Sequence, residues 1–213
     1  MKNVNFKSIN PNKISVVFCD IGGVLLTNGW GHESRMAAAE KFNIDYPEMN
    51  SLNQFMFTVW ETGKISIDDY LDSVVFYKKR NFSKDEFKEF MFGESKMLPD
   101  TFELMLNWKS INPGIQFFAI NNEPRELNDY RINKFQLRKL FNGFISSCDV
   151  HLRKPDPEIY LLALNISKAP AAECIYFDDR RFLAEAAQKA GIKSFVFSDF
   201  KNFEHSLKMV NNE

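Results

Sequence analysis

The sequence predicts an α/β protein: a three-layer, doubly wound parallel sheet with a smaller all-helical cap inserted after the first strand. Three observations predict it. Five short apolar runs recur along the 213 residues: Ile14 to Cys19, Ile115 to Ile120, Gly143 to Ser147, Cys174 to Phe177 and Lys193 to Phe197. Helical patterns separate the later runs, and strand alternating with helix is the signature of a parallel sheet. Between the first two runs, from Thr27 to about Leu98, only helical patterns occur.

Each element has its own local reason. Val16 to Cys19 is β-branched and aromatic without polar interruption, which suits a strand covered on both faces. In the long interval, Ser34 to Phe42 is rich in Ala, a good helix former. Ile67 to Tyr77 places Ile67, Tyr70, Leu71, Val74 and Val75 on one helical face. Ser83-x-x-Glu86 reads as a capping box ahead of Phe87 and Phe90. Later, Pro157 to Leu164 has apolar residues at helical spacing, and Phe182 to Ala190 stops at Gly191. The expected division is a core of residues 1–27 and 99–213 and a cap of residues 28–98.

Composition removes several function classes. Apolar residues make up 45%, charged residues 26%, and the formal net charge is -1, so no global field draws in nucleic acid or an anionic membrane. Any anion must be bound by a local site. The 22 phenylalanines are read mostly as core and cap filling. Cys19, Cys148 and Cys174 are an odd set without paired spacing, which speaks for a reducing compartment rather than a disulfide framework. Met1 to Ser15 has no apolar stretch of signal-peptide length. The expectation is a soluble cytoplasmic protein, monomer or homodimer, with no nucleic-acid or membrane partner.

Parallel strands deliver their carboxyl ends to one edge, where open α/β sheets bind ligands. Four such ends carry polar residues here: Asp20; Asn121, Asn122 and Glu123; Arg153 and Lys154; Asp178 and Asp179. Gathered together, the three aspartates would repel one another and raise their pKa values. A hard cation such as Mg²⁺ relieves that and prefers oxygen ligands. The cation and Lys154 would neutralise phosphate oxygens, Asn121 would donate a hydrogen bond to one, and Asp20 would be left as the nucleophile of an aspartyl-phosphate route.

With those residues in place, the chain resembles the haloacid dehalogenase superfamily. VVFCDIGGVLL (Val16 to Leu26) matches its first motif and FFAINNEPREL (Phe117 to Leu127) its second. LRKPDPEIY (Leu152 to Tyr160) matches its lysine motif and IYFDDRRFLAEAAQKAGI (Ile175 to Ile192) its acidic motif. It is most similar to the small sugar-phosphatase-like branch whose first motif reads Asp-x-Gly-Gly or Asp-x-Gly-Asn. The resemblance implies a Rossmann-like core with a helical cap placed after the first strand. It implies Asp20 as nucleophile and metal ligand, Gly22 giving a backbone carbonyl to the metal, and Asp179 as the main acidic ligand with Asp178 beside it. It implies Asn121 holding the phosphate and Lys154 tying it to Asp20.

Three positions depart from the family pattern. Gly22 stands where most of its phosphatases carry a second Asp, the general acid and base. Asn121 replaces the usual Ser or Thr, and Leu183 replaces an Asp or Asn four residues after the metal aspartate. A missing general acid costs about 10²- to 10⁴-fold. The expected substrate is therefore a small phosphorylated metabolite with a good leaving group, such as a sugar 1-phosphate. Trp30, His32 and Arg35 are the cap candidates for reading its remainder, with Trp30, Arg35, Asn121 and Asn122 as the substrate-binding set. Trp60, Glu61 and Gly63 read as a helix end, with Trp60 filling the cap interior. The alternatives are a metal-independent 2-haloacid dehalogenase, which Gly22 permits and Asp178-Asp179 disfavours, and a catalytically weak phosphate-ligand binder.

Overall fold

The structure is a computed structural model that describes residues 14–212. The chain begins with β1 (Val16–Cys19) and then forms four helices: α1 (His32–Lys41), α2 (Tyr46–Glu61), α3 (Ile67–Val74) and α4 (Lys84–Gly93). It returns through α5 (Pro99–Ile111), β2 (Gln116–Asn121), α6 (Arg125–Lys134), β3 (Gly143–Ser146) and the short α7 (Ser147–Val150). It ends with α8 (Pro157–Ser167), β4 (Cys174–Asp178), α9 (Arg181–Lys189), β5 (Lys193–Val196) and α10 (Phe200–Asn212).

All four strand pairings are parallel, in the order β3-β2-β1-β4-β5. The chain winds outward from β1 in one direction through β2 and β3, and in the other through β4 and β5. That places the carboxyl end of β1 at the switch point where such sheets open a crevice. Strand alternation sorts the two faces. Val17, Cys19, Ile175 and Phe177 pack with Met105 and Trp108 of α5, Ile132 of α6 and Phe203 of α10. Phe18, Cys174 and Tyr176 pack on the other face with Ile159 and Ala163 of α8 and Ala187 of α9. Helices on both faces complete the three layers that the apolar runs predict.

The helices α1 to α4 enclose a second apolar cluster, which includes Trp30, Trp60, Tyr70, Leu71, Phe87 and Met91. Trp60 is fully buried and stacks on Tyr70 with ring centroids 4.0 Å apart. Ser66 and Ser83 both form capping boxes, with Asp69 and Glu86. The helix expected over Ile67 to Tyr77 stops at Val74. The sixteen residues of α2 lacked a clean apolar stripe in the sequence, because its buried face mixes Met49 and Trp60 with Asn53 and Glu61. Its start is fixed by Asp45, whose side chain accepts from the Glu48 N–H at 2.9 Å.

Two chain segments connect these helices to the sheet. Thr27 N–H donates to the Lys96 carbonyl at 2.9 Å, and Leu98 N–H donates to the Leu25 carbonyl at 2.8 Å. The outgoing and returning backbones are thus zipped together. Among the described residues no helix is long and apolar enough to cross a membrane. All three cysteines are buried and free.

Candidate active site

Asp20 follows the last residue of β1, and its N–H donates to the Phe177 carbonyl of β4 at 2.8 Å. Alternation turns Cys19 into the sheet core and Asp20 to the opposite side, as the pattern predicts. Gly23 then takes φ +75°, and a Cβ there would lie 2.2 Å from Asp179 Oδ2. Only glycine lets the backbone turn this close to the carboxylate.

Lys154 is almost completely buried and spends its three N–H donors on three neighbours. Its Nζ lies 3.0 Å from Asp20 Oδ1, 2.8 Å from Asp178 Oδ2 and 2.9 Å from the Tyr176 hydroxyl. Tyr176 also donates to Asp178 Oδ2. The other oxygen of Asp178 accepts from the Arg180 N–H at 2.9 Å. The loop carrying Lys154 is clamped by Asn122, which donates to the Lys154 carbonyl and accepts from the Lys154 N–H, both at 2.8 Å.

Asp179 contrasts with Asp178. Its Oδ1 is buried without a hydrogen-bond partner. One carboxylate oxygen from each of Asp20, Asp178 and Asp179 lies within 4.8 Å of the others. Three acids face one lysine, so the centre is short of positive charge. An orphaned buried oxygen in an all-oxygen donor set fits a hard divalent cation. Burial pushes the Asp20 carboxyl up to about 7, with Lys154 pulling down and Asp178 adding to the rise. Burial, reinforced by Asp178, also raises Asp179. Burial opposes the charge on Lys154, but Asp20 and Asp178 outweigh it and hold the ammonium well above its ordinary value.

A cavity of about 330 Å³ opens over this centre. Asp20, Gly22, Asn121, Asn122 and Lys154 line it from below, and Trp30, His32, Arg35, Phe57 and Glu61 from above. Asn121 is buried and donates to Asn128 Oδ1 at 3.0 Å, while its carbonyl oxygen accepts from Ser146 at 2.8 Å. That leaves its second amide hydrogen for a ligand. The Trp30 indole donates to the Tyr70 hydroxyl at 2.9 Å, so the ring is both cavity wall and helix packing. Arg35 reaches the Trp30 carbonyl at 3.0 Å and Asn50 Oδ1 at 3.3 Å. His32 sits at the exposed start of α1 against the Tyr46 hydroxyl, 2.6 Å away. Leu183 contributes an apolar wall, and its carbonyl accepts from Tyr160 at 2.9 Å.

Sequence reasoning missed several residues here. Tyr176 lies two residues before Asp178, so strand period alone puts both on one side, but a tyrosine among apolar neighbours reads as core. Asn28, which hydrogen-bonds Asp179, had no signal beyond its loop. Glu61, read as a helix end, carries a buried carboxylate 2.5 Å from Arg153 Nη2. A further buried pair, Glu123 with Arg131, also lines the cavity.

The haloacid dehalogenase-like hydrolase family model matches residues 24–197, most of the chain. The chain belongs to this family. Among relatives of this hydrolase, an uncharacterised protein of Haemophilus influenzae is 30% identical over 102 residues, which span 48% of this chain and 49% of that protein. The phosphorylated carbohydrates phosphatase of Thermotoga maritima is 29% identical over 186 residues, 84% of this chain and 83% of that enzyme. A haloacid dehalogenase family enzyme of Bacteroides thetaiotaomicron has the same fold, with a TM-score of 0.78 at 18% identity over 91% of this chain and 98% of that one. The same Bacteroides enzyme in complex with magnesium and inorganic phosphate aligns with a TM-score of 0.71 at 17% identity, over 87% and 94% of the two chains.

Proposed function

We propose that this hydrolase is a Mg²⁺-dependent phosphatase of small phosphorylated metabolites, sugar phosphates such as a sugar 1-phosphate among them. The observation that carries the reading is the Asp20–Asp178–Asp179 cluster with Lys154 in its midst. Supporting it are the phosphatase relative that acts on phosphorylated carbohydrates and the structural neighbour that binds magnesium with phosphate. We assign residues 28–98 as a cap and residues 1–27 with 99–213 as the catalytic core. The apolar cluster built mainly from α1 to α4, which Leu127 of α6 joins, and the paired crossing at Thr27 and Lys96 support that division. We further assign the protein to the cytoplasm, as a monomer or homodimer.

In this reading Asp20, Asp178, Asp179 and the Gly22 carbonyl hold the metal. The bound ion would screen the phosphate charge and keep Asp20 ionised despite its burial. Asp20 attacks phosphorus and forms an aspartyl-phosphate, which water then cleaves. Lys154 keeps the attacking oxygen in place and offers positive charge to the phosphoryl oxygens. Asn121 donates its free amide hydrogen to one of them. Asn122 acts through the Lys154 backbone that it clamps, and Trp30 and Arg35 meet the non-phosphate part of the substrate.

Gly22 suits a dehalogenase or a weak ligand binder equally well, because neither needs a proton at that position. The crowded acids weigh against the metal-free dehalogenase, since displacement at carbon gains nothing from them. Release of inorganic phosphate from a panel of phosphate esters, with Mg²⁺ and with a chelator, tests the reading. The expected outcome is turnover that disappears on chelation and returns with added Mg²⁺. Chelator-insensitive turnover, or none on any ester, would overturn it.

A further inference from the structure

An alkyl or sugar phosphate cannot lose its alcohol readily unless the departing oxygen receives a proton. The groups around Asp20 offer few donors. Gly22 has no side chain, and a Cβ there would face Asn28 Oδ1 at 3.2 Å and Arg131 Nη1 at 3.8 Å. Lys154 is held by two carboxylates and a tyrosine. Glu123 is both ion-paired and hydrogen-bonded to the fully buried Arg131, whereas Glu61 Oε2 faces the partly exposed Arg153 without a hydrogen bond, and His32 is engaged by Tyr46 at the exposed rim.

Glu61 remains. It ends α2, lines the same cavity as Asp20 and Lys154, and is only 4% exposed. Its backbone is fixed to the core, because Ser147 Oγ donates to the Glu61 carbonyl at 2.6 Å and His151 Nδ1 lies 2.8 Å from the Thr62 carbonyl. Gly63 completes the join at φ +70°, so close to the Cys148 carbonyl that a Cβ would sit 2.3 Å from it. Arg153 Nη1 donates to Thr58 Oγ1 at 3.2 Å while its Nη2 meets Glu61 Oε2, which aims the carboxyl from the opposite wall. The first three contacts fix the backbone that carries Glu61, and Arg153 alone meets its carboxylate.

We infer that Glu61, delivered by the cap, is the proton donor and acceptor of the reaction. This rests on the phosphatase reading and adds the residue that the strand ends do not supply. Asp20 attacks phosphorus, the bond to the leaving oxygen breaks with its electron pair staying on that oxygen, and the Glu61 carboxyl proton moves there to give the free alcohol. The Glu61 carboxylate then takes a proton from water as the water oxygen bonds to phosphorus. The bond to Asp20 breaks, its electrons return to the carboxylate, and Glu61 is again protonated. Burial raises this carboxyl to about 7, against the pull of Arg153 and with Glu123 adding to the rise; Arg180 and Lys154 are the remaining charges that face it, and both oppose the rise. A group poised near neutrality serves both steps.

The test compares kcat/KM for p-nitrophenyl phosphate, whose leaving group needs no proton, with that for a simple alkyl phosphate, in the unaltered protein and in Glu61→Gln. The variant is expected to lose about 10²- to 10⁴-fold on the alkyl ester and less than about tenfold on the activated one. It should also release nitrophenolate in a burst close to one equivalent, because the second step lacks its base. In the unaltered protein, kcat/KM on the alkyl ester should fall above pH 7 while the activated ester shows no such limb. Equal losses on both esters, no loss on the alkyl ester, or a pH limb common to both would overturn the proposal. Absence of phosphate release by the unaltered protein from either ester would instead overturn the phosphatase reading, and this inference with it.

Discussion

The cavity floor is laid by strand ends, whereas its roof is assembled from helix faces. Asp20, Asn121, Lys154 and Asp178 follow or end parallel strands or the loop after one, and the β3-β2-β1-β4-β5 order brings them together whatever their neighbours are. Trp30, Arg35 and Glu61 reach the same cavity only because α1, α2 and α3 pack in a particular register around Trp60 and Tyr70. Charge follows the same split. The floor is a dense set of acids around one buried lysine, while the roof holds single charges, Arg35 against neutral Asn50 and Glu61 against Arg153. In the proposed reading the nucleophile, the metal-holding acids and the phosphate-holding groups sit on the part fixed by topology. The inferred proton donor Glu61 and the groups proposed to meet the rest of the substrate sit on the part fixed by side-chain packing.

The sharpest way to break that contrast is at Asp20, the proposed nucleophile. Asp20→Asn should lower turnover by on the order of 10⁴-fold on every ester tested, with the unfolding transition retained. Steady-state phosphate release checks it, and a loss confined to some esters would give Asp20 a selective role. Lys154→Met comes next. It leaves Asp20 and Asp178 buried without their cation, so stability should drop by about 3–5 kcal/mol in metal-free buffer. Added Mg²⁺ should recover part of that drop in the denaturation midpoint.

A roof effect of intermediate size comes from pH. The Glu61 carboxyl is raised in the folded protein to about 7 from an unfolded 4.5. Its contribution to stability is complete below the unfolded value and is lost as pH rises through the folded one. The loss amounts to at most about 3 kcal/mol. Denaturant titrations of the unaltered protein and Glu61→Gln between those two pH values should diverge by this slope. The smallest change expected is at Arg35, where Arg35→Gln should raise KM about tenfold on a good substrate, about 1.4 kcal/mol, and leave kcat nearly unaltered. A kcat effect larger than the KM effect would move Arg35 from substrate binding to the chemical step.

The same contrast governs what could be read from the residues alone. Strand runs and the polar residues that terminate them are local signals, so the five strands, their common edge and the four loops were legible. Each run found its strand to within two residues at either end. Residues whose role depends on a distant partner were not legible. Tyr176 gains its meaning from Lys154, Asn28 from Asp179, and Glu61 from an arginine 92 positions later. Of helix α2 only the end was read, and its start and body were not, for a related reason. Its buried face is half polar because Asn53 accepts from the Tyr70 hydroxyl at 2.6 Å and Glu61 faces the cavity, so no apolar stripe announces it. Asn122 was legible as a site residue, but its grip on the Lys154 backbone spans 32 positions and left no trace in the motif.

Arg153 and Lys154 are consecutive residues that serve opposite walls, one gripping Glu61 above and the other Asp20 below. A single peptide bond therefore links the grip on the side chain inferred to move the proton with the grip on the one proposed to attack. Remodelling the upper chamber for a bulkier molecule would drag on the ammonium beneath it. An engineer seeking new specificity should start on the far rim, at α1, and leave that dipeptide untouched.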